Sequence, residues 1–321
     1  MAATQKILVT DDLFINDEHV AVLRKAGYEV ERLMKVKATE EELCSALADK
    51  VGYILGGIES VTERVILAAP NLRAISFTGS GYAEFIPAHR VATMRGIAIS
   101  AAIGANAQAV AEFSLTAILA MIRQTGRMTC KGGSSFYIAP AFSDVVVGVV
   151  GYGAIGSRVA RLCETLGLKV LCHGRTPGGL ERDGRQNTPL EELLSSSNIV
   201  SIHVSKENGS GLLSKDKLAL LRVGSSVVNC AFSHAIDREA LAVRVKANEL
   251  TAFLDSSCYS AEELADFPPG AILQTNGQTA FNTRRSNKLV SDRVTATLLA
   301  LLDEKSDKDL VNPEYLKYRY R

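Results

Sequence analysis

Gly151-Tyr152-Gly153-Ala154-Ile155-Gly156 follows the apolar run Val145 to Val150 and opens a segment whose positions 155, 159, 162 and 166 share one helical face. Between a strand and a helix, a G-x-G-x-x-G turn has a physical purpose. Gly151 makes the tight turn, Gly153 lets backbone approach a pyrophosphate, and Gly156 lets helix and strand pack closely. The N–H groups and dipole at the helix start then attract the phosphates. This pattern predicts a dinucleotide cofactor, with Ala154 and Ile155 contributing backbone.

The next strand closes Leu171-Cys172-His173-Gly174-Arg175-Thr176. An NAD site places Asp or Glu there for the ribose 2′-hydroxyl. Here Gly174 stands first, and the guanidinium of Arg175 with the hydroxyl of Thr176 suits a 2′-phosphate. The sequence therefore predicts NADP(H) in preference to NAD(H). A solvated surface arginine is the plainer alternative for Arg175.

Short apolar strands alternate with amphipathic helices along the whole chain, which implies parallel sheets with right-handed crossovers. Strands are expected at 6–11, in "YEVERL", "VGYILGG", "LRAISFTGSG" and "IAIS", and again at 145–150, 168–172, 199–204, 226–231, 250–255 and 271–275. Asn16, Thr39 with Glu42, Thr188 with Glu191, and Asp237 are expected helix caps. One long helix is expected over 106–128. The last apolar helix, from Arg284, packs most simply on the first domain. The expected fold is α/β, with two Rossmann-like or flavodoxin-like open parallel-sheet domains. Residues 102–284 form the NAD(P)-binding domain, inserted in a substrate-binding domain of residues 1–101 and 285–321.

The 321 residues are 47% hydrophobic and 22% charged with net charge +1, an ordinary globular balance. Without a Lys/Arg cluster, nucleic acid is not an expected partner. No apolar stretch is long enough for a membrane span, and "MAATQKILVTDD" runs directly into a strand, so neither a membrane span nor a signal peptide is expected. Six scattered cysteines suggest reduced thiols in the cytoplasm, with no disulfide frame and no metal site.

With these motifs in place, the chain resembles the D-isomer-specific 2-hydroxyacid dehydrogenases over nearly its whole length. "APNLRAISFTGSGY", "GANAQAVAEF", "HVSKENGSGLLSKDKLALLRVGSSVVNCA", "DREAL" and "LVNPEYL" carry the likeness beside the glycine motif. The resemblance implies a homodimer built on the cofactor domain and a small-molecule substrate. It implies cofactor contacts from Val204, Ser205, Cys230, Ala231, Phe232, Asp255 and Asn276, and substrate contacts from Gly57, Ser80, Gly81 and Phe232.

That family uses an arginine for the substrate carboxylate, a histidine for the hydroxyl proton and a glutamate that tunes the histidine. The arginine follows an N-x-A sequence; here Asn229-Cys230-Ala231 leads to Phe232. The histidine ends a pattern "ILTPH"; here the chain reads Ile272-Leu273-Gln274-Thr275-Asn276. The glutamate follows the strand ending in L-D; Leu254-Asp255-Ser256-Ser257-Cys258-Tyr259-Ser260 contains none, and Glu262 and Glu263 reach the place only by a register shift. All three roles are expected to be vacant. Asn276 hydrogen-bonds but exchanges no proton near neutral pH. Lys206, just past a strand end, could serve as an acid if desolvated, or be a solvated loop lysine. His203, expected to be structural, and His234, Tyr82, Cys258 and Tyr259 are weaker candidates. The expected function is an NADP(H)-dependent oxidoreductase acting on a carbonyl, imine or activated double bond of a non-standard substrate. The alternative is a catalytically silent NADP(H)-binding sensor or partner subunit.

Overall fold

In the computed structural model, residues 4–10, 13–35, 37–133, 136–175, 183–205 and 209–319 are described. The chain separates into two compact units, Met1–Asn106 with Thr283–Arg321, and Ala107–Asn282. Each is built on an all-parallel sheet, so both are α/β domains of the kind expected.

The first unit contains β1 (Lys6–Thr10), β2 (Glu29–Leu33), β3 (Lys50–Leu55), β4 (Ala74–Phe77) and β5 (Ala98–Ala101), in the sheet order β2-β1-β3-β4-β5. β1, β3, β4 and β5 are buried on both faces, since side chains alternate across a pleated sheet, while the edge strand β2 exposes Glu29 and Glu31. Leu8, Tyr53, Leu55, Ile75 and Ile99 enter one core. Ile7, Val9, Ile54, Ala74 and Ala98 enter the other, where Val290, Val294, Leu298 and Leu301 of the helix Arg284–Leu302 cover them. Asn16 and Thr39 cap their helices through side-chain oxygens, and Glu42 completes the second box.

The second unit contains β6 (Val146–Val150), β7 (Lys169–His173), β8 (Ile199–Ile202), β9 (Ser225–Asn229), β10 (Leu250–Leu254) and β11 (Ile272–Gln274). Their order is β11-β10-β9-β8-β6-β7, and a single parallel bridge from Cys172 to Asn187 extends the sheet beyond β7. The order reverses between β6 and β8, the place where open α/β sheets bind ligands at their carboxyl edge.

Two local expectations fail. The helix expected over 106–128 stops at Arg123, Gln124 takes a left-handed conformation with φ 50°, and a short helix Thr125–Thr129 follows. Tertiary packing forces the break. A Cβ on Gly126 would lie 2.7 Å from Leu273 and 2.8 Å from the Gly270 carbonyl, so the chain must bend to pass that close. Thr188 is not a cap either, since the helix Leu190–Ser196 starts after Pro189 with no side-chain cap. Thr188 instead donates its N–H to the Cys172 carbonyl at 2.9 Å, as an extension of the sheet.

In the first unit, buried Asn312 accepts the Ile99 N–H at 2.6 Å and donates to the Ile97 carbonyl at 2.9 Å and the Thr93 hydroxyl at 2.8 Å. It ties the C-terminal segment to β5. Asn312→Ala leaves a buried N–H and a buried carbonyl without partners, so urea unfolding should register a loss of at least about 1–3 kcal/mol. An unchanged midpoint would contradict this account.

Candidate active site on the second sheet

The glycine turn has the geometry that its sequence predicts. Gly151 has φ +95°, and a Cβ there would stand 2.3 Å from the His203 carbonyl oxygen. The turn thus sits against the exit of β8, at the reversal of strand order. A Cβ on Gly156 would lie 1.9 Å from the Gly151 carbonyl and 3.1 Å from Val149, so only glycine lets the helix Gly156–Thr165 start this close to β6. Around Gly153 the space is open, with nothing within 4 Å of an added Cβ. The N-cap residue, Ile155, offers no side-chain hydrogen bond to this helix. Arg158 folds back from its first turn to the Ala154 carbonyl, which brings a guanidinium to the same loop. An open cradle, an uncapped helix start and a nearby positive charge fit a dinucleotide diphosphate.

At the exit of β7, the Asn187 amide pairs with both backbone groups of Gly174. Its Oδ1 accepts the Gly174 N–H and its Nδ2 donates to the Gly174 carbonyl, each at 3.0 Å. Sequence reasoning missed Asn187, because nothing in its neighbours indicates that a loop asparagine closes a rudimentary strand. Arg175 follows and is exposed. Thr176 lies outside the described residues. Close by, the Tyr152 hydroxyl donates to Asp183 at 2.7 Å, and Arg161 donates to both oxygens of that carboxylate. Burial and the Asp183 contact push the Tyr152 phenol up to about 12.

The exits of β8 to β11 gather most of the remaining candidates. Val204 is half-buried, Ser205 is exposed, and Lys206 lies outside the described residues. After β9, the Asn229 side chain accepts the Ala231 N–H at 3.0 Å and donates to the Phe232 carbonyl at 2.9 Å. This clamp fixes the bend that delivers Phe232. The Phe232 ring packs on the core beside Val204, and its Cζ would lie 3.1 Å from a Cβ on Gly209. Cys230 is buried, which pushes its thiol up to about 12 and leaves it inert near neutrality.

After β10, buried Asp255 takes N–H bonds from Thr279 at 3.0 and 3.1 Å and from Ala280 at 2.9 Å, with the Thr275 hydroxyl 3.0 Å away. Its carboxylate thereby shapes the loop that carries Asn276, whose side chain is exposed. Gln278, beyond Asn276, reaches back to donate to the Ala231 carbonyl at 2.9 Å. Gln274 is engaged elsewhere, pairing both of its amide groups with the backbone of Tyr259 at 2.7 and 3.0 Å.

Glu263 closes the capping box of the helix Ala261–Ala265 and pairs with Arg238. Glu262 accepts from Ser260 in the same turn. His203 contacts the Ser201 hydroxyl through Nε2 at 2.8 Å, while its buried Nδ1 has no partner among the described residues. Burial lowers its pKa to about 3, so the ring is neutral. His234 is exposed.

Three expected substrate residues belong to the first unit. Gly57 is buried just past β3, while Ser80 and Gly81 are exposed past β4. The Ser80 hydroxyl accepts the Gly104 N–H at 3.3 Å, and a Cβ on Gly81 would meet nothing within 4 Å. Among the described residues no cluster of metal-binding side chains occurs, and no helix is long and apolar enough to cross a membrane.

Residues 115–273 match the family model described as D-isomer specific 2-hydroxyacid dehydrogenase, NAD binding domain. D-3-phosphoglycerate dehydrogenase 1 of Saccharomyces cerevisiae is 29% identical over 251 residues, covering 76% of this chain and 52% of that protein. The chain spans about half the length of the several phosphoglycerate dehydrogenases it matches. Glyoxylate reductase of Thermofilum pendens is 27% identical over 307 residues, covering 88% of this chain and 87% of its own. Among solved structures, an acyclic imino acid reductase in complex with NADPH and D-Arg superposes with a TM-score of 0.83 at 20% identity. It covers 96% of this chain and 100% of that one. The glycine cradle at the strand reversal, the two parallel sheets and the matched domain lead to one conclusion: the chain carries the NAD binding domain of the D-isomer specific 2-hydroxyacid dehydrogenase family.

Proposed function

We propose that the protein is an NADP(H)-dependent oxidoreductase that reduces a carbonyl, imine or activated double bond of a substrate outside the usual 2-keto acids. The observation that carries this reading is Phe232, an aromatic ring packed beside Val204 where the family's pattern places a carboxylate-binding arginine. An aromatic wall favours an apolar portion of substrate over a carboxylate. The cofactor supplies the hydride when bound, and the protein supplies orientation, to which hydride transfer is most sensitive. The fold leaves the substrate class open, since an imino acid reductase adopts it as well.

The preference for NADP(H) rests on the exit of β7. Gly174 offers no carboxylate, its backbone groups are held by Asn187, and Arg175 is exposed beside it. Asn276 is proposed to orient the substrate or the cofactor amide, with Lys206 as a candidate proton donor. The remaining cofactor contacts expected from the sequence, Val204, Ser205, Cys230, Ala231 and Asp255, line the same strand exits, and Gly57, Ser80 and Gly81 are proposed for substrate. We place the protein in the cytoplasm, in keeping with its free cysteines. We also propose a homodimer through the cofactor domain, which exposes Phe136 at 74% and Ile138 at 79% between the helix Thr125–Thr129 and β6. A catalytically silent NADP(H)-binding subunit is the second reading. It is favoured by the internal bonds that occupy Asp255 and the Ala231 carbonyl.

Calorimetric titration should find NADPH bound more tightly than NADH. Arg175→Ala should weaken NADPH selectively, by about 1.5–3 kcal/mol, the size of a hydrogen bond to a charged group. Equal affinities in the parent protein would reject the preference. With pyruvate, glyoxylate, hydroxypyruvate or phenylpyruvate, turnover should be about 10²–10⁴ times slower than in a member with the full acid–base set. Rapid NADPH oxidation with any of these acids would refute the reading of Phe232 and Asn276.

His203 makes a pH prediction. Its folded pKa, about 3, lies below the ordinary 6.5, so the unfolded chain takes up the proton first as pH falls. The stability that the neutral ring contributes is complete above about pH 6.5 and drains away toward pH 3. His203→Asn should flatten the change in urea midpoint between about pH 7 and about pH 5. Parallel pH profiles for the two proteins would count against a neutral buried ring.

A further inference from the structure

A nicotinamide ring carries a carboxamide, which needs an acceptor for its N–H groups. In an open sheet, a dinucleotide lies across the reversal of strand order with one half on each side. The diphosphate cradle at β6 and the ribose position at β7 place the adenosine half on one side. The nicotinamide half then falls over the exits of β8, β9 and β10.

Two acceptors stand at those exits, and both are engaged internally. The Asp255 carboxylate takes the N–H groups of Thr279 and Ala280, both oxygens participating. The Ala231 carbonyl takes the Nε2–H of Gln278 at 2.9 Å. The Gln278 side chain ends in a carboxamide, the same chemical group that the cofactor would bring. It reaches from the loop after β11, across β10, to the exit of β9. Its residue is exposed, so no core packing demands that position.

We infer that Gln278 is an internal competitor for the nicotinamide carboxamide, a latch that holds the Ala231 carbonyl until bound cofactor displaces it. This inference rests on the NAD(P) reading of the site. The Asp255 carboxylate is held by two backbone N–H groups and a hydroxyl of the loop that it shapes. The Gln278 bond is a single contact from an exposed side chain and is exchangeable. The device therefore acts on cofactors with a nicotinamide and leaves the adenosine half untouched.

Binding of NADPH, NADH and ADP-ribose to the parent protein, Gln278→Ala and Gln278→Glu, measured by calorimetry, tests the inference. Removing the competing donor should tighten NADPH and NADH about 2- to 10-fold, the equivalent of one neutral hydrogen bond. ADP-ribose, which lacks the carboxamide, should bind all three proteins alike. Gln278→Glu cannot donate to the carbonyl, so it should release the latch as Gln278→Ala does. Tight ADP-ribose binding with no gain, or a loss, for NADPH in both variants would overturn the latch while leaving the cofactor site standing. Failure of ADP-ribose and NADPH alike to bind any of the three proteins would overturn the cofactor reading and the latch together.

Discussion

At Gly151 the chain turns with φ +95°, and a Cβ there would stand 2.3 Å from the His203 carbonyl oxygen, so the exits of β6 and β8 are held together by the absence of a side chain. The other features of the second sheet depend on that contact. β6 is bordered by β7 on one side and β8 on the other, so it is the strand about which the order reverses. The Gly151 N–H bonds the His173 carbonyl at 2.8 Å, which ties the same turn to β7 as well. A residue with a Cβ at this point would push three strand exits apart. The helix start behind it would lose its aim at the cradle.

The two ends of the candidate cofactor site are built by opposite means. At the cradle, glycines keep the backbone bare, so N–H groups and the helix dipole face an open space. At the exits of β9 to β11, side chains occupy the backbone: Asn229 closes the Phe232 bend, Asp255 gathers the loop N–H groups, and Gln278 takes the Ala231 carbonyl. The first end presents an open cradle to an anion. At the second, the Asp255 carboxylate and the Ala231 carbonyl already hold internal bonds, so a ligand there meets acceptors that are partly occupied. This asymmetry is what permits both an oxidoreductase reading and a silent-binder reading of one chain.

How much of this was legible in the sequence follows from the range of each interaction. The glycine motif, the strand alternation and the caps at Asn16, Thr39 and Asp237 are local patterns, and the structure contains them. Gln124 and Thr188 mislead because their neighbours carry a helical pattern, whereas distant contacts with Gly270, Leu273 and Cys172 decide their conformation. Asn187, Asp255 and Gln278 act over separations of 13, 24 or 25, and 47 residues. Nothing in a local window marks an asparagine or glutamine that closes a backbone pair. Phe232 is different: its departure from the arginine of the family pattern is legible only beside that pattern, because a phenylalanine after a strand is otherwise an ordinary core residue.

The source of a proton is the last constraint on chemistry. His203 is held neutral with a pKa near 3, the Cys230 thiol is pushed to about 12, and burial raises the Tyr259 phenol. None of these groups moves between protonation states near neutral pH. In the proposed reductase, a simple ketone would therefore depend on water or on Lys206 for its proton. A protonated imine brings its own positive charge to the carbon that accepts the hydride, and its reduction leaves an amine without further protonation. Among the substrates proposed, the imine asks least of the residues present, and Phe232 and Asn276 would then serve only to shape and orient it.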